Sequence, residues 1–234
     1  MKILALDSTA QTATVALTED EKLLAEYTLN NGNTHSETLL PMVESMLTQL
    51  GMEVDDVELF ALSCGPGSFT GVRIGAATVK GLAFGMHKPC IGVSTLEALA
   101  WNLVACPGLI CPVMNARRSQ VYTALFRSEG GTLTRLLPDD ALSLAELDKI
   151  LAGYNEPVRL CGDGYGIARE ALKSVTIPET PDRWRHASAY SVAYAALAAY
   201  RRGGYTDDTG LKVTYLRPSQ AERERLEAEK NKAQ

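Results

Sequence analysis

The stretch 64–85 has the residue types best suited to chemistry, a glycine-rich turn followed by hydroxyl side chains. Gly65 and Gly67 form the turn, and Ser68 and Thr70 can cap the first turn of a helix. A strand–turn–helix junction of this kind gathers unpaired backbone N–H groups at the positive end of a helix dipole, so it can bind an anion. We weigh phosphate binding here against close packing of the backbone, and packing is the favoured interpretation.

The usual partners of a phosphate loop are missing from this stretch. A P-loop requires a lysine and a serine or threonine after its second glycine, whereas the chain continues from Gly67 as SFTG and then Val72. The glycine spacing of the dinucleotide-binding fingerprint is absent as well. The turn therefore predicts neither of these two classes of nucleotide-binding protein.

The helix after the turn is unusually rich in residues with almost no side chain. Gly71 and Gly75 are four residues apart, as are Gly81 and Gly85. Glycine within a helix costs about 1 kcal/mol relative to alanine, so such a run indicates the close approach of another backbone. That backbone belongs either to the chain's own sheet or to a second protein, and the sequence leaves both open.

Composition limits the classes of protein to consider. The chain has 234 residues, 46% of them hydrophobic, which is enough for an ordinary buried core. Its net charge of −5 opposes binding to a nucleic acid on its own, so any nucleic acid would be bound mainly through a partner. Five cysteines without a CxxC pair, and no long apolar run, predict a cytoplasmic protein with reduced thiols and no membrane segment.

Hydrophobic periodicity predicts an α/β chain made of two similar units. The first unit has the order β-β-β-α-β-α-β-α, and its first helix covers 34–50 with a predicted capping box from Thr34 to Glu37. A looser copy of the order follows, with its third strand expected at 132–136. We therefore predict an N-terminal unit at 1–106, a C-terminal unit at 107–218 and a charged tail at 219–234.

Several motifs together resemble one bacterial family. They are ILALDST at 3–9, HSETLLP at 35–41, GPGSFTGVRIG at 65–75, GVSTLEALA at 92–100 and TYLRP at 214–218. The resemblance is to the TsaB (YeaZ) family and covers nearly the whole chain, with GPGSFTGVRIG as its most specific part.

The resemblance implies both a fold and a role. The fold would be actin-like (ASKHA), with two ribonuclease-H-like subdomains of mixed sheets flanked by helices. The role would be that of a non-catalytic scaffold that binds TsaD, with TsaE, and activates threonylcarbamoyl transfer to tRNA. The modified adenosine would lie next to the anticodon of tRNAs that read codons beginning with A.

In TsaD-like proteins the corresponding helix carries two metal-binding histidines one turn apart. Here Thr95 and Leu99 occupy those positions, with Glu97 between them. A hydroxyl, an aliphatic group and one carboxylate are poor ligands for a transition metal, so we expect no metal site and no catalytic residue. A lone histidine such as His35, at a helix start, is more typical of a capping or surface residue.

A vestigial nucleotide site is the one ligand site that the resemblance leaves open. Asp7, Ser8 and Thr9 end the first strand where actin-like ATPases hold an aspartate and a phosphate-binding turn, and Gly65 and Gly67 would complete it. A strand-end turn needs no ligand, and a turn is the favoured interpretation. We expect no cofactor beyond weak binding of ATP or ADP.

The expected partner surface combines two neighbouring helices. We predict that an apolar ridge on the first helix and the small-residue face of the second meet the equivalent helices of TsaD. Its residues are Leu39, Leu40, Val43, Met46, Leu47, Gly71, Val72, Gly75 and Val79. The same patch could pair with itself in a homodimer when the chain is alone.

The alternative hypothesis is that the chain is an independent enzyme. Independent activity as an actin-fold ATPase or kinase would need a second phosphate turn and a catalytic aspartate in the later half, for which 162–164 (GDG) is the weak candidate. An M22-type metallopeptidase would need the histidine pair, which is missing here. Arg117 and Arg118 form a small basic pair near Asn115 that suits a phosphate or tRNA contact, although an exposed turn is favoured.

Overall fold

The structure is a computed structural model that describes residues 1–117 and 119–217. Pro218, the predicted tail at 219–234 and Arg118 lie outside the described residues. The strands are β1 (Lys2–Asp7), β2 (Ala13–Glu19), β3 (Lys22–Leu29), β4 (Leu59–Ser63), β5 (Cys90–Val93), β6 (Gly108–Asn115), β7 (Gln120–Glu129), β8 (Thr132–Ser143) and β9 (Val158–Cys161). The helices are α1 (His35–Leu50), α2 (Phe69–Ala83), α3 (Thr95–Trp101), α4 (Leu144–Ala152), α5 (Tyr165–Ala171) and α6 (Ala189–Arg201).

The strands form two sheets with matching topology. The first has the order β3-β2-β1-β4-β5, and the second has the order β8-β7-β6-β9. In each sheet the first three strands are antiparallel neighbours, and the fourth runs parallel to the first, as β4 does to β1 and β9 does to β6. This duplicated ribonuclease-H-like order is the actin-like fold.

The first sheet is covered on both faces, which explains its almost uninterrupted apolar strands. Leu4 and Leu6 point toward α1 and α2, whereas Ile3 and Ala5 point toward α6. Alternate residues of β1 therefore enter two different cores.

Helix α3 lies between the two units. Its Ala98 packs with α6 on the first sheet, and its Leu96 and Leu99 pack on β6 and β7 of the second. Helices α4 and α5 cover the opposite face of the second sheet.

Helix α6 returns to the first sheet although it comes late in the chain. It contacts β1 and β2, and the carboxylate of Glu26 accepts hydrogen bonds from the Ser188 hydroxyl and the Tyr190 N–H at its start. The predicted division had placed this segment in the unit at 107–218. That division itself stays a prediction.

Two local predictions are wrong. Strand β8, expected over 132–136, continues to Ser143 because an edge strand tolerates Pro138. Thr34 is the N-cap of α1, but its side chain makes no capping hydrogen bond, so the capping box from Thr34 to Glu37 does not form. A capping box does occur at Ser143 and Glu146, at the start of α4.

Candidate functional site

A cleft of about 600 Å³ opens between the two units. It lies where β1 and β6 end, because the carboxyl ends of the parallel strands in each sheet face the other unit. The β1–β2 turn and the start of α2 supply Thr9 and Ser68 on one side, and Asn115 and Asp163 line the other.

The floor of the cleft is made by the close approach of two turns. The Ser68 N–H donates to the carbonyl of Thr9 at 2.8 Å, and a Cβ on Gly67 would lie 2.5 Å from that carbonyl oxygen. Ser68 accepts a hydrogen bond from the Gly71 N–H at 3.3 Å, which confirms it as the cap of α2. The glycines at this junction are therefore needed for packing within the chain.

Asp7 is buried at this junction. Its Oδ1 accepts hydrogen bonds from the N–H and the hydroxyl of Thr9, both at 2.8 Å, while Oδ2 has no partner among the described residues. Burial raises the pKa of Asp7, and the neighbouring Ser63 hydroxyl together with the hydrogen bonds from Thr9 offsets only part of the effect. His35, the first residue of α1, forms a hydrogen bond to the carbonyl of Ala10 at 2.8 Å. This bond connects the start of α1 to the same turn.

The five residues of the predicted nucleotide site do come together here. However, Thr9 uses its N–H on Asp7 and its carbonyl on Ser68, and Gly65 sits so close to the Thr214 carbonyl that a Cβ there would overlap it. A phosphate-binding turn needs free backbone donors and open space at its glycines. These residues fit a nucleotide phosphate poorly, and nucleotide binding stays a prediction.

The helix α3 positions expected to lack metal ligands are interior positions. Thr95 is fully buried, and its hydroxyl has no hydrogen-bond partner among the described residues. Leu99 belongs to the core between the units. Glu97 pairs with Arg135 of β8 at 3.0 Å. Within residues 1–117 and 119–217, no three His, Cys, Asp or Glu side chains gather as a ligand set, so the residues present do not fit a metal ion.

The predicted partner surface is incorrect as a set of side chains. Eight of its nine residues are buried inside the chain: Leu39, Val43, Met46, Leu47, Gly71, Val72, Gly75 and Val79. The apolar stripes of α1 and α2 face their own sheet because that sheet supplies the matching apolar surface. Of the nine, Leu40 is exposed, at 52%.

The outward face of α2 is formed by other residues. Thr70, Arg73, Ala77 and Gly81 are exposed at spacings of three and four, and Phe84 follows at the helix end with 79% exposure. A Cβ on Gly81 would meet nothing within 4 Å. Gly81 therefore leaves this face shallow.

The four glycines of the helix region thus divide into two pairs. A Cβ on Gly71 would overlap the Ser8 carbonyl, and one on Gly75 would lie 2.7 Å from the Ser8 hydroxyl. Gly81 and Gly85 approach nothing within the described chain. Close approach to Ser8 explains the first pair but not the second.

Known proteins show what this architecture belongs to. A family model described as TsaD, tRNA N6-adenosine threonylcarbamoyltransferase, matches residues 22–218. The chain is 33% identical to the tRNA threonylcarbamoyladenosine biosynthesis protein TsaB of Bacillus subtilis over 98% of this chain and all of that protein. The chain belongs to the TsaB (YeaZ) family. Escherichia coli TsaB is 39% identical over 56% of this chain and 58% of that protein.

Solved structures agree with the TsaB assignment. The solved structure of YeaZ from Pseudomonas aeruginosa has a TM-score of 0.76 at 25% identity and covers 92% of this chain and 99% of that one. The crystal structure of an uncharacterized protein with similarity to peptidase YEAZ from Pseudomonas aeruginosa has a TM-score of 0.79 at 26% identity, with the same coverage. The chain also resembles a transferase: the tRNA N6-adenosine threonylcarbamoyltransferase of Kosmotoga olearia is 27% identical over 70% of this chain and 53% of that protein.

Sequence reasoning missed residues at the C-terminal end of α2 and on the late segment 214–217. Phe84 was overlooked because it interrupts the apolar period of the helix, although a large aromatic side chain between two glycines is itself a signal. Tyr215 and Arg217 were quoted only within a motif, yet the chain at 214–217 lies beside the cleft.

None of the helices of the described residues is both long and apolar enough to cross a membrane.

Proposed function

We propose that this chain is a non-catalytic subunit in tRNA threonylcarbamoyladenosine biosynthesis that binds a TsaD transferase and supports its activity. The family supports the pathway, since the Bacillus subtilis relative, which matches 98% of this chain, carries that name. The observation that carries the binding role is the exposed face of α2, with Phe84 79% exposed beside the open Gly81.

The outward face of α2 has the properties of a helix-packing surface. Ala77 and Gly81 are four residues apart, so they form a shallow strip that lets another helix approach closely. Phe84 ends that strip with a large ring, and interface hot spots are enriched in such aromatic anchors. Leu40 and Pro41 add exposed apolar surface on the neighbouring α1.

The proposed partner is a protein of the same fold. Because a TsaD family model matches 22–218 of this chain, a TsaD protein has helices equivalent to α1 and α2. Two copies of this helix pair can meet about a pseudo-twofold axis and bury a four-helix core. A homodimer through the same face is the alternative for the chain on its own.

The side chains near the cleft support the proposed non-catalytic role. Thr95 and Leu99 do not fit a metal, and the glycine floor is closed by Thr9. Incubating the purified chain with ATP or with peptides, each with and without divalent metal, tests this directly. Turnover above that of a heat-inactivated sample would overturn the non-catalytic role.

Partner binding is tested with Phe84→Glu and Gly81→Leu, which place a charge and a bulky group on the exposed face. Each is titrated with the cognate TsaD protein by calorimetry, and threonylcarbamoyl transfer to tRNA is measured in the reconstituted mixture. We expect at least about a tenfold loss of affinity, since hot-spot residues contribute 2 kcal/mol or more. Transfer should fall in parallel.

The matched control is Leu23→Glu on the edge strand β3, which changes another exposed apolar residue of the same unit. It should bind like the parent chain, and circular dichroism should show all three variants folded. Folded Phe84→Glu and Gly81→Leu proteins that bind with unchanged affinity would remove this surface from the proposal.

A further inference from the structure

Three arginines lie along one line of contacts at the mouth of the cleft. The Arg73 Nε–H donates to the Tyr215 hydroxyl at 2.8 Å, and Arg217, two residues further on, donates to the carbonyl of Ala116 at 3.1 Å. Ala116 is adjacent to Arg117, which is exposed. The line therefore runs from α2 in the first unit to the β6–β7 turn of the second.

The segment that carries Tyr215 and Arg217 is held firmly against the first unit. The Thr214 N–H donates to the carbonyl of Cys64 at 2.7 Å, and the Tyr215 ring stacks on Phe69 with centroids 4.7 Å apart and planes at 11°. The guanidinium carbon of Arg73 lies 5.6 Å from the Tyr215 centroid, within cation–π range. Contacts within the chain therefore position the Tyr215 ring and the segment that carries it.

The charge at this mouth differs from that of the whole chain. The described residues that line the cleft include two arginines, Arg117 and Arg217, and one residue with a carboxylate, Asp163. The Asp163 carboxylate already accepts a hydrogen bond from the Asn115 N–H. Within the described residues, no carboxylate lies within ion-pair distance of the Arg117 or Arg217 guanidinium. The chain has a net charge of −5, so this uncompensated positive charge is local.

We propose that this basic mouth, formed by Arg73, Arg117, Tyr215 and Arg217, binds the sugar–phosphate backbone of RNA. Arginine forks suit phosphate oxygens, and an ordered aromatic ring that is 38% exposed, as Tyr215 is, can stack on an unpaired base. The assignment rests on the proposed function, which supplies an RNA substrate for the complex. It concerns a surface separate from the Ala77–Phe84 end of α2.

The arrangement favours an RNA strand over a free nucleotide. A nucleotide would place its phosphates on the floor, where Thr9 and Thr214 carbonyls already occupy the space beside Gly67 and Gly65. The cations instead lie at the rim and extend across both units, which matches a polymer with a phosphate at every residue. The negative net charge keeps the affinity low and strongly dependent on salt.

The test measures binding of a fluorescent RNA stem-loop, with an anticodon-type loop, to the isolated chain by anisotropy between about 50 and 200 mM salt. The double variant Arg117→Glu with Arg217→Glu should bind at least about tenfold more weakly, and the slope of log K against log salt should fall by about two. Lys22→Glu with Arg202→Glu reverses two charges at the far end of the first sheet and should leave both quantities unchanged.

Three outcomes would overturn the assignment: no salt-sensitive binding by the parent chain, an unchanged affinity in the double variant, or displacement of the RNA by ADP that calorimetry shows bound in the cleft. The double variant should still bind the TsaD protein. Loss of RNA binding with intact TsaD binding therefore supports this site alone, whereas failure of TsaD binding in the parent chain would count against the proposed function and leave this result standing.

Discussion

The hydroxyl of Ser8 donates a hydrogen bond to the carbonyl of Gly71 at 2.9 Å, across the junction between the end of β1 and the first turn of α2. At this separation the two backbones touch, and a Cβ on Gly71 would overlap the Ser8 carbonyl oxygen. The contact sets how closely α2 lies on the sheet. It therefore also sets the floor of the cleft.

We expect Gly71→Ala to destabilise the chain by about 1–3 kcal/mol, because the added methyl group forces the two backbones apart. Urea unfolding followed by circular dichroism measures this. Gly81→Ala in the same helix is the control: its Cβ enters open space, so the better helix propensity of alanine should raise stability by about 0.5–1 kcal/mol. Equal effects of the two changes would contradict the structural distinction between these glycines.

Val79→Glu and Phe84→Glu should behave differently although both introduce a charge into α2. Val79 is fully buried against the sheet, so an unpaired carboxylate there should cost more than about 3 kcal/mol and leave little folded protein. Phe84 is exposed, so its variant should keep the parent's melting temperature within a few degrees. Differential scanning fluorimetry decides between them, and a stable Val79→Glu protein would argue against the buried face described for α2.

Asp7→Asn should stabilise the chain at neutral pH. Burial raises the folded-state pKa of Asp7 above its ordinary value of 3.8, so the native state binds the proton more tightly than the unfolded chain. The contribution of this carboxyl to stability is then fully present below that value and declines as pH rises through the folded-state pKa. Asparagine keeps an acceptor for the two Thr9 hydrogen bonds without the buried charge.

The advantage of Asp7→Asn should therefore be largest near pH 7 and shrink on acidification. Unfolding midpoints in urea, measured for both proteins across the acidic range, test the sign. A variant that is less stable than the parent at pH 7 while equally stable at low pH would show that the charge of Asp7 is stabilising.

Ser143→Ala should cost about 1 kcal/mol, since its hydroxyl and Glu146 form a reciprocal capping box at the start of α4. Thr34→Ala, at the start of α1, is the matched substitution: the Thr34 side chain makes no capping bond, so the loss should stay below about 0.5 kcal/mol. Thermal unfolding of the two variants compares them. Similar losses would mean that Thr34 does cap α1 in solution.

Local pattern was sufficient for the elements and for the duplication. The apolar runs at 59–62 and the 3–4 spacing along 39–50 predicted β4 and α1, because each element must present an apolar side to a core. The extent of β8 could not be predicted in this way. A proline such as Pro138 would end a strand in the interior of a sheet. It is tolerated here because β8 lies at the sheet edge.

The direction of the helix faces was the main error. Periodicity showed that Val43 and Val79 share an apolar stripe, yet a stripe that packs on its own sheet and one that binds a partner have the same spacing. The outward face contains small and isolated residues, such as Gly81 and Phe84, which carry no periodic signal. Only the burial of the side chains distinguishes a stripe that packs on its own sheet from one that binds a partner.

By itself the sequence determined the two-unit order, the family and the absence of histidines at Thr95 and Leu99, since these depend on residue type and spacing along the chain. The tertiary structure decided which glycines serve the chain's own packing, where α6 lies, and that Arg73, Arg117 and Arg217 reach one rim. These features join residues more than 40 positions apart. Contacts between such distant residues depend on how helices and sheets pack together, so they cannot be predicted from spacing along the chain.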